Sequence, residues 1–248
     1  MPGSPAPCRR DWVAVDGPAG AGKSTLARGL ARALGFRYID TGATYRAAAL
    51  AAMEAGLLAR QPPDEEAVVR LVASLDIRLG TDPQGEGPAR VCLGGRDVSE
   101  ALRSLEVGQA ASVIAGLAGV RRILASLQRR LAEQGPCVVE GRDIGTVVLP
   151  EACVKLYVTA SLEERARRRA LELAARAAPP GSRPQVEPAE LERVMEQLER
   201  RDRQDRLRAA SPLMAAPDAV TLDTTGQDQE TVLRRALALV RERLGGVP

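Results

Sequence analysis

The sequence predicts an α/β fold: a five-stranded parallel sheet with helices on both faces, carrying a small α+β insertion. Three observations predict it. Short apolar runs alternate with amphipathic helical stretches along most of the chain, the pattern of strands joined by helical crossovers. A glycine-rich turn, Gly17–Gly22, separates the first apolar run from the first helical stretch. Around residues 62–118 the alternation breaks into two short runs that read as a hairpin. With 248 residues, 45% apolar and 27% charged, the chain is long enough for one well-buried domain plus that insertion.

Trp12–Val15 reads as the first strand, followed by the glycine turn and a helix from Lys23 to Leu34 that Gly35 stops. Tyr38–Ile39 is a second short strand, and a helix over about 44–55 closes at Gly56. Asp76–Leu79 and Arg90–Leu93 form the hairpin, with Thr81–Pro88 as its turn, and helical segments run on to Gln134. Cys137–Glu140, Val154–Val158 and Ala219–Leu222 supply three more strands. Helices over about 162–177 and 230–244 lie between and after them, the last with Val232, Leu233, Ala236, Leu237, Val240 and Leu244 on one stripe. The expected division is a core of 12–61 and 119–248, an inserted domain at 62–118 over a substrate site, a short lid at 162–187 and a flexible N-terminus at 1–11. Pro179–Pro184 breaks the helical pattern.

Composition narrows the chemistry. There is no histidine, which excludes Ser-His-Asp and Cys-His sites and every histidine-ligated metal. Lysine occurs only at Lys23 and Lys155, so the basic side chains are almost all arginine. A net charge of +3 does not imply nucleic-acid binding. Cys8, Cys92, Cys137 and Cys153 form no C-x-x-C pair, and Cys137 and Cys153, in apolar strand-like runs, are expected as buried thiols rather than ligands or bridges. No apolar run approaches the roughly 18 residues that span a bilayer, and residues 1–10 lack a secretory apolar stretch. The expectation is a cytoplasmic monomer with small-molecule substrates and neither nucleic acid nor membrane as partner.

Gly17-Pro18-Ala19-Gly20-Ala21-Gly22-Lys23-Ser24 fits G-x-x-x-x-G-K-[ST] in full, after a strand and before a helix. Glycines let backbone N–H groups turn inward around phosphate oxygens, and a helix N-terminus adds favourable field. Lys23 would neutralise the β and γ phosphates and the Ser24 hydroxyl would ligate Mg²⁺. The motif specifies a nucleoside triphosphate without choosing among kinase, GTPase and ATPase. No N-K-x-D base-reading motif follows a later strand, which weighs against a GTPase.

Two further segments end strands at the same expected sheet edge, where ligands of parallel sheets bind. Asp40–Arg46 offers Thr41 as a helix cap and Arg46 as a bidentate phosphate ligand. Glu140–Thr146 places three charges around a glycine directly after a strand. Over about 188–208, the apolar stripe of Leu191, Val194, Met195 and Leu198 continues into Arg201, Asp202, Asp205 and Arg208, so a buried face turns charged. Arg165, Arg168 and Arg169 at i, i+3 and i+4 are expected to converge as a charge-neutralising lid.

Taken together, D-G-P-A-G-A-G-K-S-T (Asp16–Thr25), D-T-G-A-x-Y-R (Asp40–Arg46), G-R-D-I-G-T (Gly141–Thr146) and R-D-x-x-D-x-x-R before P-L (Arg201–Arg208, Pro212, Leu213) closely resemble bacterial cytidylate kinases of the nucleoside-monophosphate kinase family. The insertion with its D-V-S motif at Asp97–Ser99 is similar as well. The resemblance implies a P-loop kinase fold and ATP-dependent phosphorylation of CMP and dCMP. It assigns Gly17 to Thr25 to ATP, and Thr41, Tyr45, Arg46, Ser112, Arg121, Arg142, Asp143, Arg201, Asp205 and Arg208 to CMP. Arg46 and Arg142 would hold the acceptor phosphate. Arg201 and Asp205 would hold the ribose, and Ser112, Arg121, Asp143 and Arg208 would surround the cytosine. Lys23, Arg142, Arg165 and Arg169 are the expected catalytic groups. Ala19 stands where some members carry serine, and Glu140 where many carry aspartate. A hydroxyl acceptor, with Glu140 as general base, is the rival reading.

Overall fold

The computed structural model describes residues 8–60, 62–80, 90–179, 184–208 and 211–245. The first half runs β1 (Arg9–Asp16), α1 (Lys23–Leu34), β2 (Arg37–Asp40), α2 (Thr41–Glu54), α3 (Glu65–Ser74), β3 (Ile77–Leu79), β4 (Val91–Leu93), β5 (Arg96–Asp97) and α4 (Leu105–Ile114). There follow α5 (Ala118–Ala132), β6 (Cys137–Glu140), β7 (Ala152–Thr159), α6 (Leu162–Ala177), α7 (Pro188–Leu207), β8 (Val220–Asp223) and α8 (Gln229–Arg243). A single wide π turn, Ile144–Val148, lies between β6 and β7.

The main sheet has the order β2-β6-β1-β7-β8 and every pairing in it is parallel. Both faces are covered, which is why its strands read as continuous apolar runs rather than alternating ones. Val13, Val15, Val138, Leu156 and Val158 pack on Leu26 and Leu30 of α1 and Ala236 and Val240 of α8. Trp12, Ala14, Ile39 and Val139 pack the other way, on Ala132 of α5 and on Ile144 and Val148. The α/β fold with a five-stranded parallel sheet is as the sequence predicts.

Register is what positions the site. Val15 pairs with Glu140 and Asp40 pairs with Glu140, so β1, β2 and β6 end level with one another. Asp16–Gly17, Asp40–Thr41 and Glu140–Gly141 therefore leave the sheet at a single edge.

A separate antiparallel sheet, β3-β4-β5, joins α2, α3, α4 and α5 around a second core. Helix α2 buries Ala43, Ala47, Ala48, Ala49, Ala51 and Ala52 on nearly all sides. Small side chains there let α4 and the second sheet come close to it. Ala166 and Ala170 of α6 pack on Val194 and Leu198 of α7 in a further cluster.

Several expectations need correction. Residues 9–11 belong to β1, and the Arg9 N–H donates to the Glu151 carbonyl at 2.7 Å. Cys8 and Cys153 form a disulfide across 145 residues, with Cα atoms 4.9 Å apart. Sequence spacing concealed it, because the parallel pairing of β1 with β7 is what sets the two side by side. Cys137 is a buried free thiol, as expected. Helix α2 begins at Thr41, earlier than 44. The expected turn Thr81–Pro88 and residues 180–183 of the Pro-rich break lie outside the described residues. Among the described residues, no single helix is long and apolar enough to cross a membrane.

Candidate active site

Gly17 leaves β1 with φ 142°, and a Cβ there would lie 1.9 Å from the Val158 carbonyl oxygen, so only glycine fits. The loop then curls to Gly22, which enters α1 in the left-handed region and caps it with no side chain. The first-turn N–H groups of α1 are left facing the loop, a ready anion site. Lys23 is buried, and its Nζ donates to the Pro18 carbonyl at 2.7 Å. Burial first, then the like charges of Arg142 and Arg201, draw its pKa down to about 7 against the pull of Glu140 and Asp16. A phosphate beside it would restore the charge.

The Ser24 hydroxyl donates to Glu140 Oε1 at 2.8 Å. The other carboxylate oxygen, Oε2, is buried without a partner. Burial and the neighbouring Asp40 raise the Glu140 pKa.

At the same edge four guanidiniums surround two carboxylates. Arg46 pairs with Asp40 at 2.8 Å. Arg142 donates from Nε to Asp205 at 3.1 Å and from Nη1 to the Gly17 carbonyl at 2.8 Å. Arg208 pairs with the other oxygen of Asp205. Arg201 makes no hydrogen bond or ion pair among the described residues, and Arg142, Arg46 and Arg208 lie close enough to lower its pKa. That pKa falls to about 10, by burial first and Arg142 next. Arg201 is nonetheless solvent-accessible. Water at the guanidinium screens the fields of its like-charged neighbours. The pocket holds surplus positive charge and unused N–H donors, which suits a dianion.

A second cluster adjoins it. Arg121 and Asp143 form a buried ion pair at 2.5 Å. The Arg121 guanidinium lies 5.8 Å from the Tyr45 ring centre. Burial raises the Tyr45 pKa to about 12, and Arg121, Asp143 and Arg208 all act on it. Arg121 also donates to the carbonyls of Ala115 and Ser211, each at 3.4 Å. Ser211 is the one described non-glycine residue with positive φ, at 54°. The Ser112 hydroxyl donates within α4 to the Gly108 carbonyl at 3.3 Å and bonds to neither Arg121 nor Asp143.

The charged end of the α7 stripe is buried as its periodicity implies: Val194, Leu198, Asp202 and Asp205 form one inward line. Asp205 pairs with Arg142 and Arg208 rather than with Arg201 one turn away. The three α6 arginines do not converge. Arg165 is buried, donating to Asp202 at 2.6 Å and to the Ala19 carbonyl at 3.2 Å. Arg168 reaches Thr224. Arg169 turns outward and pairs with Glu172 at 2.7 Å. Residues i+3 and i+4 flank position i on either side, and here only one flank faces the loop.

Thr41 is not the cap of α2. Asp40 accepts from the Ala43 N–H at 3.1 Å, and Thr41 donates to the Glu140 carbonyl at 2.7 Å, tying β2 to β6. Sequence reasoning gave no role to Asp16 or Asp40, and placed Asp202 on the charged stripe without its partner Arg165. The signal for the first two was available, since each is the last residue of a strand entering the ligand edge.

The family model for cytidylate kinase matches residues 13–242. The chain is similar to the cytidylate kinase of Pelotomaculum thermopropionicum, 48% identical over 229 residues covering 92% of this chain and 95% of the relative. It is similar to that of Geobacillus kaustophilus, 44% identical over 237 residues, 96% and 99% of the two chains. The cytidylate kinase of Mycobacterium avium is 44% identical over 232 residues, 93% and 95% of the two chains. A match that spans the phosphate loop, the arginine pocket and the buried Arg121–Asp143 pair alike leaves one conclusion: the chain belongs to the cytidylate kinase family.

Proposed function

We propose that the chain transfers the γ-phosphoryl group of ATP to the phosphate of CMP and dCMP, giving ADP with CDP and dCDP. Family membership makes it a nucleoside-monophosphate kinase. The observation that carries the substrate class is the arginine pocket beside the phosphate loop, with Arg201 making no ion pair among the described residues.

The acceptor needs no general base, because a phosphate monoester with a second pKa of about 6 is already an anion at pH 7. The protein's task is to hold two repelling phosphates in line and damp their charge. Lys23 and the α1 N-terminus take the donor phosphates. Arg46 and Arg142 take the acceptor phosphate, each keeping N–H donors beyond its contacts to Asp40, Asp205 and Gly17. Arg201 and Asp205 take the ribose, and Asp143, Arg121, Arg208 and Ser112 read the base, with Tyr45 lining it. Arg165, against the Ala19 carbonyl, serves the charge that builds during transfer.

The Ser24 hydroxyl and the orphaned Glu140 Oε2 are oxygen donors of the kind Mg²⁺ takes alongside phosphates and water, so the residues fit that ion. Bound there, it would supply charge neutralisation on the donor phosphates. The same contact weighs against Glu140 as a base for a hydroxyl acceptor, since its carboxylate faces the phosphate loop through Ser24. We further propose that residues 62–118 act as an inserted domain over the acceptor and 162–187 as a lid. We also propose a monomer acting on small molecules in the cytoplasm, with neither nucleic acid nor membrane as partner.

The test is ADP release with ATP and Mg²⁺ plus CMP, dCMP, UMP, AMP or cytidine in turn. CMP and dCMP should be used well, UMP poorly, AMP hardly at all and cytidine not at all. Turnover with cytidine but not CMP would reverse the reading.

A further inference from the structure

We propose that Asp16 is a positioning residue that caps the π turn from outside, leaving the Asp143 carboxylate free to face Arg121. Asp16 is the last residue of β1, buried, and immediately precedes the phosphate loop. Its two carboxylate oxygens accept the N–H groups of Ile144 and Gly145 at 2.8 and 2.7 Å. These are the first N–H groups of the π turn, which lack partners within their own turn as at any helix start.

The residue placed to cap that turn is Asp143, and it makes no side-chain cap bond. Its carboxylate goes to Arg121 instead, at 2.5 Å. An aspartate at such a position ordinarily folds back onto the N–H two or three residues on. Asp16 removes the reason to do so by filling both N–H groups first. The same peptide junction holds the preceding residue as well, since the Gly17 carbonyl accepts from Arg142 at 2.8 Å. One strand end therefore aims both Arg142 and Asp143. Gly145 packs closely here, since a Cβ would sit 3.1 Å from Lys155 Cδ and at van der Waals contact, 3.4 Å, with Asp16 Oδ2. Burial raises the Asp16 pKa to about 6 even against both N–H contacts, as expected for a carboxylate deep between two loops.

The inference rests on the acceptor assignment above and deepens it. It assigns to Asp16 an effect on the acceptor and on base choice, although Asp16 adjoins the donor loop in sequence. The test is Asp16→Asn, which keeps one acceptor and turns an N–H donor on the other amide. We expect CMP affinity, by titration calorimetry, to weaken about tenfold, in line with loss of a hydrogen bond to a charged group. ATP affinity should stay within about twofold, and the CMP-to-UMP ratio of kcat/KM should shrink. Equal losses for ATP and CMP, or no loss for either, would overturn the proposal. Should Asp16→Asn not fold, Asp16→Ser keeps a single acceptor on a shorter side chain and removes the second cap bond. The same CMP-selective loss would support the proposal, and its absence would sink it. Wild-type protein that fails to use CMP at all would instead refute the proposed function.

Discussion

The donor loop draws its groups from one unbroken run, Gly17 to Thr25, and presents mostly backbone N–H groups at the start of α1. The proposed acceptor pocket gathers Arg46 from α2, Arg142 from the turn after β6, and Arg201, Asp205 and Arg208 from the end of α7. Backbone donors are placed by local φ and ψ, so a short motif carries their geometry with it. Guanidiniums on long stems have to be aimed, and carbonyls and carboxylates from other elements do the aiming. Arg142 shows the contrast within one side chain, held between the Gly17 carbonyl and Asp205. The donor side should therefore fail through loss of its own residues, and the acceptor side also through loss of its supports.

The largest effect is expected at Lys23. Lys23→Met should lower turnover by about 10²–10³-fold or more, the scale of removing a preorganised charge from a transfer site, with the melting curve preserved. Near-native turnover in a folded variant would remove the chemical basis of the donor side. Next come Arg46→Ala and Arg142→Ala, each costing about 1.5–3 kcal/mol of CMP binding. Calorimetry should show ATP binding unchanged for Arg46→Ala. Arg142→Ala should carry a small ATP penalty too, because Arg142 also braces Gly17. Identical CMP and ATP losses in both variants would erase the distinction between the two sides.

Base choice should respond more weakly. Cytosine offers an amino donor at N4, which a carboxylate accepts, with discrimination of about 1–3 kcal/mol for a good pairing. Asp143→Ala should narrow the CMP-to-UMP ratio of kcat/KM about tenfold, mainly by harming CMP. Ser112→Ala should narrow it less, since its hydroxyl is engaged within α4. Unchanged ratios in both would mean that neither residue reads the base. The smallest effect belongs to Arg169→Ala, expected within about twofold of wild type because exposed pairs such as that with Glu172 contribute little. A tenfold fall in kcat would show that α6 turns Arg169 inward when ATP binds.

The strands of the main sheet were legible because both faces are buried, so each reads as an apolar run between turn residues. The charged end of α7 was legible because helical period carries a buried stripe forward from Leu198 to Asp202 and Asp205. The disulfide was not legible, since Cys8 and Cys153 meet only through the pairing of β1 with β7. The outward turn of Arg169 was equally hidden, because period gives a residue's angle on its helix and says nothing of which face meets the loop. Asp40 takes the capping role expected of Thr41 for a related reason. Both can cap a helix, and the Glu140 carbonyl, brought level by β2–β6 register, claims the threonine.

Local chemistry written into consecutive residues thus sufficed for the α/β class, the phosphate loop and the identity of the charged groups. Hydrophobic period, glycine freedom and motif spacing act over a few residues and need no partner from elsewhere. Which carboxylate holds which guanidinium, that Arg201 has no ion pair among the described residues, and that Asp16 caps a turn over a hundred residues away were settled only when the chain folded. Those contacts depend on three strands ending level at one sheet edge and on α7 reaching back across it, and register of that kind is a property of the assembled sheet.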